Sequence, residues 1–271
     1  MTDILDEEVW SWSKINSFRE GLNGNGCLYA WWITYREGDR GVGNYFSEFG
    51  SLVHNIIEKY NKGELFDWEI KDVLLSGLKN IEYPPPSFNI GKSYENKIKE
   101  FFCIDDLNGE DFSSRFQKFK FIESELEFLI NIGGYKVTGF IDAIAEHEDL
   151  GFIVMDYKSS KPYTGEVLKN NIMQMYLYSI AVKNKYGKYP DYLIYYYFKE
   201  DEREFPYKFS LTELDRTKNY VLETIELTKG YIEKDQFIPR CLTVSDNDFF
   251  CNHLCNHRFS CDYSKLLNSE A

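Results

Sequence analysis

Between Phe119 and Tyr157 the chain alternates apolar and polar residues in three runs, and this stretch constrains the fold more than any other. The runs are Phe119 to Asn131, Tyr135 to Ala145 and Phe152 to Tyr157, separated by Gly133-Gly134 and by the acidic turn Glu146 to Asp149. Runs this short, joined by turns this tight, have to pair with one another as an antiparallel meander, so they predict the centre of a sheet. A helical pattern over residues 165–183 follows. Two further strand signals come next, the aromatic Tyr192-Leu-Ile-Tyr-Tyr-Tyr-Phe198 and Glu204 to Phe209. Strands interleaved with helices make this an α/β chain.

The rest reads as helix. Ser13 is the expected N-cap of a helix over 13–21, ended by the glycine-rich Gly21-Leu-Asn-Gly-Asn-Gly26 that leads into Cys27 and a segment over 28–35. Leu52, Val53, Ile56, Ile57 and Tyr60 have helical spacing within a helix over 46–61 that carries His54. Residues 62–117 form a helical insertion, broken by Tyr83-Pro-Pro-Pro-Ser87 and by a polar loop over 105–111. Ser210-Leu-Thr-Glu213 is a capping box that opens a helix to about Glu233. The 271 residues suit one elaborated domain divided as 13–61, 62–117, 118–209 and 210–271, with the third part holding the sheet.

Charge narrows the function. Asp and Glu number 44 against 31 Lys and Arg, a net −13, which argues against a protein that coats nucleic acid through phosphate neutralisation. It does not argue against an enzyme that touches few phosphates and holds cations on carboxylates. No apolar run approaches the ~20 residues of a membrane span, and the first eight residues lack the basic and apolar regions of a secretory leader. A soluble, cytoplasmic protein is expected. The Tyr-, Asn- and Lys-rich composition points to an AT-rich bacterial or phage genome.

The chemistry concentrates at two strand ends. Asp142 closes Gly139-Phe-Ile-Asp142, and Asp156 and Lys158 close the next strand, where a spacing of two puts both side chains on one face. Thirteen residues separate Asp142 from Asp156, so a hairpin returns them to the same sheet edge if the strands pair in register. Two carboxylates and a lysine there suit metal-assisted phosphodiester hydrolysis, with Mg²⁺ or Mn²⁺ on the acids and the lysine orienting water. They also suit a turn residue beside an ordinary ion pair. Glu125 lies on the preceding strand, on one face with Glu123 and Glu127, and is either a third acid or part of an exposed acidic face. His54 is a ligand or a core histidine. Gln174 and Tyr178 share a helix face at i and i+4, where a phosphate or base contact is plausible.

Six cysteines stand at 27, 103, 241, 251, 255 and 261, and three fall in Cys251-Asn-His-Leu-Cys255-Asn-His-Arg-Phe-Ser-Cys261. In a reducing compartment such crowding reads as metal ligation rather than disulfide bonding. Cys103 and Cys241 belong to no motif and read as packing residues.

Taken in order, Gly50-x3-His54, Glu125, Gly139-x2-Asp142, Asp156-x-Lys158 and Gln174-x3-Tyr178, with Cys27 before them and Cys251, Cys255 and Cys261 after, resemble the PD-(D/E)XK nucleases of the RecB/AddB type. The resemblance runs from about Ser13 to Cys261. It is strongest to the subgroup with a four-cysteine iron–sulfur cluster, such as exonuclease V and the CRISPR-associated RecB-like nucleases. It implies a restriction-endonuclease-like central mixed sheet flanked by helices and hydrolysis of DNA, in repair or recombination. It also implies His54, Asp142, Asp156 and the Tyr157 carbonyl as metal ligands, Lys158 as catalytic lysine, Glu125 as auxiliary acid, and Gln174 and Tyr178 as DNA contacts or braces. Cys27, Cys251, Cys255 and Cys261 would hold a [4Fe–4S] cluster.

Two departures matter. The Cys-x3-Cys-x5-Cys tail is one residue longer than the family's Cys-x2-Cys-x5-Cys and contains His253 and His257, so Zn²⁺ is an alternative occupant. The chain has no Gly-x4-Gly-Lys-Ser/Thr phosphate loop, so any motor, helicase or integrase partner would act in trans. The expected substrate is DNA that is single-stranded or has free ends, along a path for which Arg36, Arg40, Lys118, Lys120, Lys161 and Lys169 are candidates. The alternatives are a CRISPR-adaptation-type end-trimming endonuclease, a non-catalytic DNA-end-binding subunit, and a zinc-stabilised interaction module.

Overall fold

A computed structural model describes residues 8–104, 111–244 and 248–264; residues 105–110 of the expected polar loop, and all but Glu8 of the first eight, lie outside the described residues. The chain forms two compact units, each discontinuous in sequence.

The first unit comprises residues 1–44, 129–138 and 218–271. A three-residue strand that the sequence did not reveal, β1 (Val9–Ser11), lies parallel to the start of β3 (Tyr135–His147), with Trp10 opposite Val137. Helix α1 (Trp12–Leu22) begins at once, and the Ser11 hydroxyl, not that of Ser13, accepts from the Lys14 N–H at 3.2 Å. The cap shifts two residues because the chain is still extended and paired at Ser11. Phe18 packs edge-on against Trp31 and Tyr231 at 5.5 and 5.4 Å, while Trp31 stacks on Phe237 at 5.5 Å. Cys27 caps the short α2 (Leu28–Trp32), its Sγ accepting from the Ala30 N–H at 3.4 Å.

The second unit comprises residues 45–128 and 139–217. Its strands are most of β2 (Phe119–Ile132), the end of β3, β4 (Gly151–Lys158), β5 (Tyr192–Tyr197) and β6 (Glu204–Lys208). β2 pairs with β3 and β3 runs antiparallel to β4, as the turns require. β4 then pairs in parallel with β5, and β5 antiparallel with β6. A parallel pair needs a crossover, supplied by α6 (Gly165–Tyr186), which packs on β4. The sheet is mixed and flanked by helices, as expected.

The helical insertion has a structural role. α3 (Tyr45–Asn61), α4 (Asp67–Lys79) and α5 (Phe88–Phe101) cover one sheet face. They bury Phe49, Val53, Ile57, Leu74, Ile98 and Phe101 against Ala143, Ile153, Met155, Ile194 and Tyr196. Most of these side chains are wholly enclosed, and full burial of each contributes about 2 kcal/mol. The last helix, α7 (Leu211–Lys234), opens where the capping box places it, with Ser210 Oγ accepting from the Glu213 N–H at 3.4 Å. Among the described residues no helix is long and apolar enough to cross a membrane.

Candidate metal centre and active site

The β3–β4 register sets Ala143 opposite Met155, and carrying it one residue further sets Asp142 opposite Asp156. The two strand ends therefore meet as the sequence requires. The Tyr157 N–H donates to Asp142 Oδ2 at 2.8 Å, which fixes that carboxylate at the sheet edge. From α3, His54 places Nδ1 3.6 Å from Asp142 Oδ2 and Nε2 3.1 Å from the Tyr157 carbonyl. Gly50, one helical turn earlier, lines a cleft of about 520 Å³ together with His54, Glu125, Asp142 and Ser159. The nearest atom to a Cβ added at Gly50 is Ser159 Oγ at 3.9 Å, so the glycine keeps the cleft open rather than relieving a clash.

Glu125 reaches the site by an irregularity that alternation cannot show. Its φ is +53° in the middle of β2, a conformation that costs a non-glycine residue about 1–2 kcal/mol. The strand's burial changes phase around it: Phe119 is buried on the odd positions, whereas Phe128, Ile130 and Ile132 are buried on the even ones. One inserted residue with positive φ is the mark of a bulge, which re-aims a side chain. The expected single face of Glu123, Glu125 and Glu127 is therefore wrong. Glu123 pairs with Lys185 at 2.6 Å and accepts from the Tyr186 hydroxyl, Glu127 is exposed, and only Glu125 turns to the cleft.

His54, Glu125 and Asp142 each offer a ligand atom within 4.8 Å of the others, a group tight enough for one cation. Their electrostatics fit such an occupant. Burial, and then the neighbouring Asp156, push the Asp142 carboxyl well above the usual range; burial and then Asp142 push Glu125 up to about 7. Burial lowers His54, so its imidazole is neutral and free to ligate. Acids crowded until they resist ionising are relieved by a bound cation.

Asp156 is 2% exposed and lies beside the cluster, with Oδ2 2.6 Å from Lys158 Nζ. Burial would lower the Lys158 ammonium, but Asp156, Tyr163 and Asp142 outweigh it and raise the pKa. Lys158 donates to Gln174 Oε1 at 3.4 Å, Gln174 Nε2 donates to the Tyr178 hydroxyl at 2.5 Å, and that hydroxyl donates to Asp156 Oδ1 at 3.4 Å. The Gln174 and Tyr178 pair on α6 thus closes a ring of contacts behind Asp156 and Lys158. Phe128 packs edge-on against Tyr178 at 5.7 Å, and a Cβ at Gly139 would come within 2.9 Å of the Phe128 ring. The glycine of Gly139-x2-Asp142 is there to let that ring pass.

In the first unit Cys27, Cys251, Cys255 and Cys261 are all buried, and burial pushes the Cys255 thiol up to about 12. The extra residue between Cys251 and Cys255 is accommodated by a π turn over Phe250–Leu254, a wider turn that takes up one more residue than an α turn. His253 packs on Phe249, and His257 Nε2 lies 2.8 Å from the Thr34 hydroxyl. Among the described residues neither histidine joins a tight group of ligand atoms with the cysteines. Cys241 is not the packing residue expected: its Sγ lies 3.2 Å from Cys251 Sγ. No spacing rule marks it, because Cys241 lies ten residues before Cys251, outside the Cys-x3-Cys-x5-Cys run. Four of the six candidate surface cations make ion pairs. Lys118 pairs with Asp149, Lys120 with Glu146, Lys169 with Glu166 and Arg36 with Glu8.

No curated protein matches the chain. Two solved structures are similar to it at low identity. One, from Eubacterium rectale and described as a candidate exonuclease, is 14% identical over 84% of this chain and 81% of its own, with a TM-score of 0.49. The other, SSO0001, is 19% identical over 95% of this chain and 87% of its own, with a TM-score of 0.36. The chain matches the PD-(D/E)XK nuclease superfamily over residues 9–262, nearly its whole length, and therefore belongs to it.

Proposed function

We propose that this protein is a divalent-metal-dependent nuclease that hydrolyses DNA phosphodiester bonds, acting on single-stranded DNA or free ends. The observation that supports it most is the convergence of His54, Glu125 and Asp142 within 4.8 Å, beside the Asp156–Lys158 pair. PD-(D/E)XK nucleases use divalent metals, and in this reading His54, Asp142, Asp156 and the Tyr157 carbonyl hold Mg²⁺ or Mn²⁺, with Glu125 as the auxiliary acid. The cation supplies Lewis acidity, which acidifies water and offsets phosphate charge.

The chain's own groups do the rest. Lys158 stays protonated, because Asp156, Tyr163 and Asp142 raise it, and its Nζ donates to the attacking water and to a phosphate oxygen. Gln174 and Tyr178 hold Lys158 and Asp156 in place, so the lysine does not collapse onto a freely rotating carboxylate. The Tyr157 N–H keeps Asp142 from turning away. Glu125, pushed up to about 7, accepts the water's proton near neutral pH. A surface whose lysines are largely paired with acids suits an enzyme that grips a few phosphates rather than one that coats a duplex.

In the same reading Cys27, Cys251, Cys255 and Cys261 hold a structural [4Fe–4S] cluster. The four buried cysteine sulfurs suit an iron–sulfur cluster, whereas the two histidines that zinc would use are engaged elsewhere, His253 against Phe249 and His257 with Thr34. Any helicase or integrase partner would act in trans.

The test uses anaerobically purified protein, first recorded for visible absorbance, then incubated with end-labelled single-stranded, duplex and forked DNA in Mn²⁺. Laddering that EDTA and Lys158→Ala both remove supports the nuclease. Intact DNA in every substrate, from folded protein saturated with Mn²⁺, overturns it.

A further inference from the structure

Five thiols, not four, converge in the first unit. Cys27 Sγ accepts from the Arg240 N–H at 3.3 Å, which brings the next residue, Cys241, to the cysteine site. Cys241 Sγ then lies 3.2 Å from Cys251 Sγ. The pair is held by contacts that need no metal. The Arg240 guanidinium makes a two-pronged ion pair with Asp248, at 2.8 and 3.1 Å, and Asp248 Oδ2 also accepts from the Cys251 N–H at 3.4 Å. Arg240, next to Cys241, and Asp248, bonded to the Cys251 N–H, therefore hold the two cysteines together and set the sulfurs side by side. Cys241 is the more exposed of the two, whereas Cys251 is 9% exposed.

We propose that Cys241 and Cys251 form a reversible disulfide that removes Cys251 from the metal-ligating set, so that the cysteine site is gated by redox state. The gating half rests on the reading of Cys27, Cys251, Cys255 and Cys261 as ligands; the disulfide itself does not. A fifth thiol beside a four-thiolate site has no ligating duty, and a neighbour at this distance closes to a bond of about 2 Å by side-chain rotation and a small backbone adjustment. The oxidant is a small disulfide, RSSR. The Cys241 thiolate attacks one of its sulfurs, the RS–SR bond breaks and the first RS⁻ leaves. Cys251 sulfur then attacks the mixed disulfide at Cys241 and expels the second RS⁻. Two electrons pass from the cysteine sulfurs to the reagent, and the two thiol protons end on two RSH. Disulfides of this transient kind are the ones that occur in reducing compartments.

The test exposes the full chain, purified without oxygen, to oxidised glutathione, with and without an iron chelator. Remaining thiols are blocked with a maleimide in denaturant, and the chain is cut before aspartate. Cleavage at Asp246 and Asp248 separates Cys241 from Cys251, so a disulfide shows as two fragments joined until reduced; because the second fragment also carries Cys255 and Cys261, sequencing the joined pair by tandem mass spectrometry places the bond at Cys251 or elsewhere. We expect that joined pair, lighter by two hydrogens, in the wild type. A linkage of Cys251 to Cys255 or Cys27 instead, or both thiols found blocked while others are oxidised, overturns the proposal. In parallel, visible absorbance and released iron are followed during oxidation. The wild type should lose its colour while Cys241→Ser keeps it, and equal loss from both overturns the gating. Protein that carries no iron but yields the joined fragments refutes the cluster and leaves the disulfide established.

Discussion

At the scale of single residues the site is a balance of crowded acids against one lysine. Breaking the buried Asp156–Lys158 pair from either side leaves a charge enclosed without its partner, which costs about 3 kcal/mol or more. Lys158→Ala should therefore lower cleavage by ~10²-fold or more and also lower the melting temperature. Asp156→Asn keeps the shape and should lose cleavage with a smaller melting shift, which calorimetry on the two variants checks. Tyr178→Phe, which removes one support behind Asp156, should cost about tenfold. Glu125 makes a pH prediction. Its folded pKa of about 7 lies above the ~4.3 of an unfolded chain, so the folded state binds that proton more tightly. This stability is complete below about pH 4 and is lost as pH rises through 7. A divalent cation competes with the same proton, so the rise in melting temperature on adding Mn²⁺ should be larger at pH 8 than at pH 6. Equal shifts at the two values would take Glu125 out of the metal centre. Asp142, Asp156 and Lys158 were legible in the sequence because strand-end position and i, i+2 spacing are local facts. The direction of Glu125 was not, because it depends on one torsion angle.

At the scale of elements, alternation located β2, β3 and β4 to within a residue or two, and helical spacing did the same for α3 and α7 and came within three residues for α6. What it missed has definite causes. β1 is three residues long, too short for a pattern, and exists because β3 offers it an edge. The phase change in β2 is invisible because Glu123, Ser124, Glu125, Leu126 and Glu127 present no clear buried face. Glu125→Gly should relieve the left-handed strain, adding about 1 kcal/mol before the flexibility of glycine is set against it, while weakening Mn²⁺ binding. Parallel thermal and metal titrations separate the two effects, and a loss of both would mean that the carboxylate, not the backbone, holds the turn. Gly139→Val tests the chain of contacts behind the site. It should drive the Phe128 ring onto Tyr178 and lower cleavage without touching any acid.

At the scale of the whole molecule, the candidate metal centre lies wholly in one unit, and Cys27, Cys241, Cys251, Cys255 and Cys261 lie wholly in the other. Their losses should therefore be separable. Cys255→Ala should abolish iron binding and destabilise the first unit, yet leave a saturable Mn²⁺ site measurable by calorimetry. Two interleaved units cannot be read from a sequence in which each is assembled from three or two distant pieces. β2 spans both units, and this gives its bulge a meaning beyond geometry. With Glu125 deleted outright, Phe119 and Phe121 before it and Phe128, Ile130 and Ile132 after it would fall on one uninterrupted alternation. The strand is one residue longer than its sheet can use, and the surplus residue is the acid. A chain shortened by that single codon is the form in which each unit keeps its inward-facing side chains while the cleft loses the Glu125 carboxylate, so loss of activity at this position needs no loss of fold.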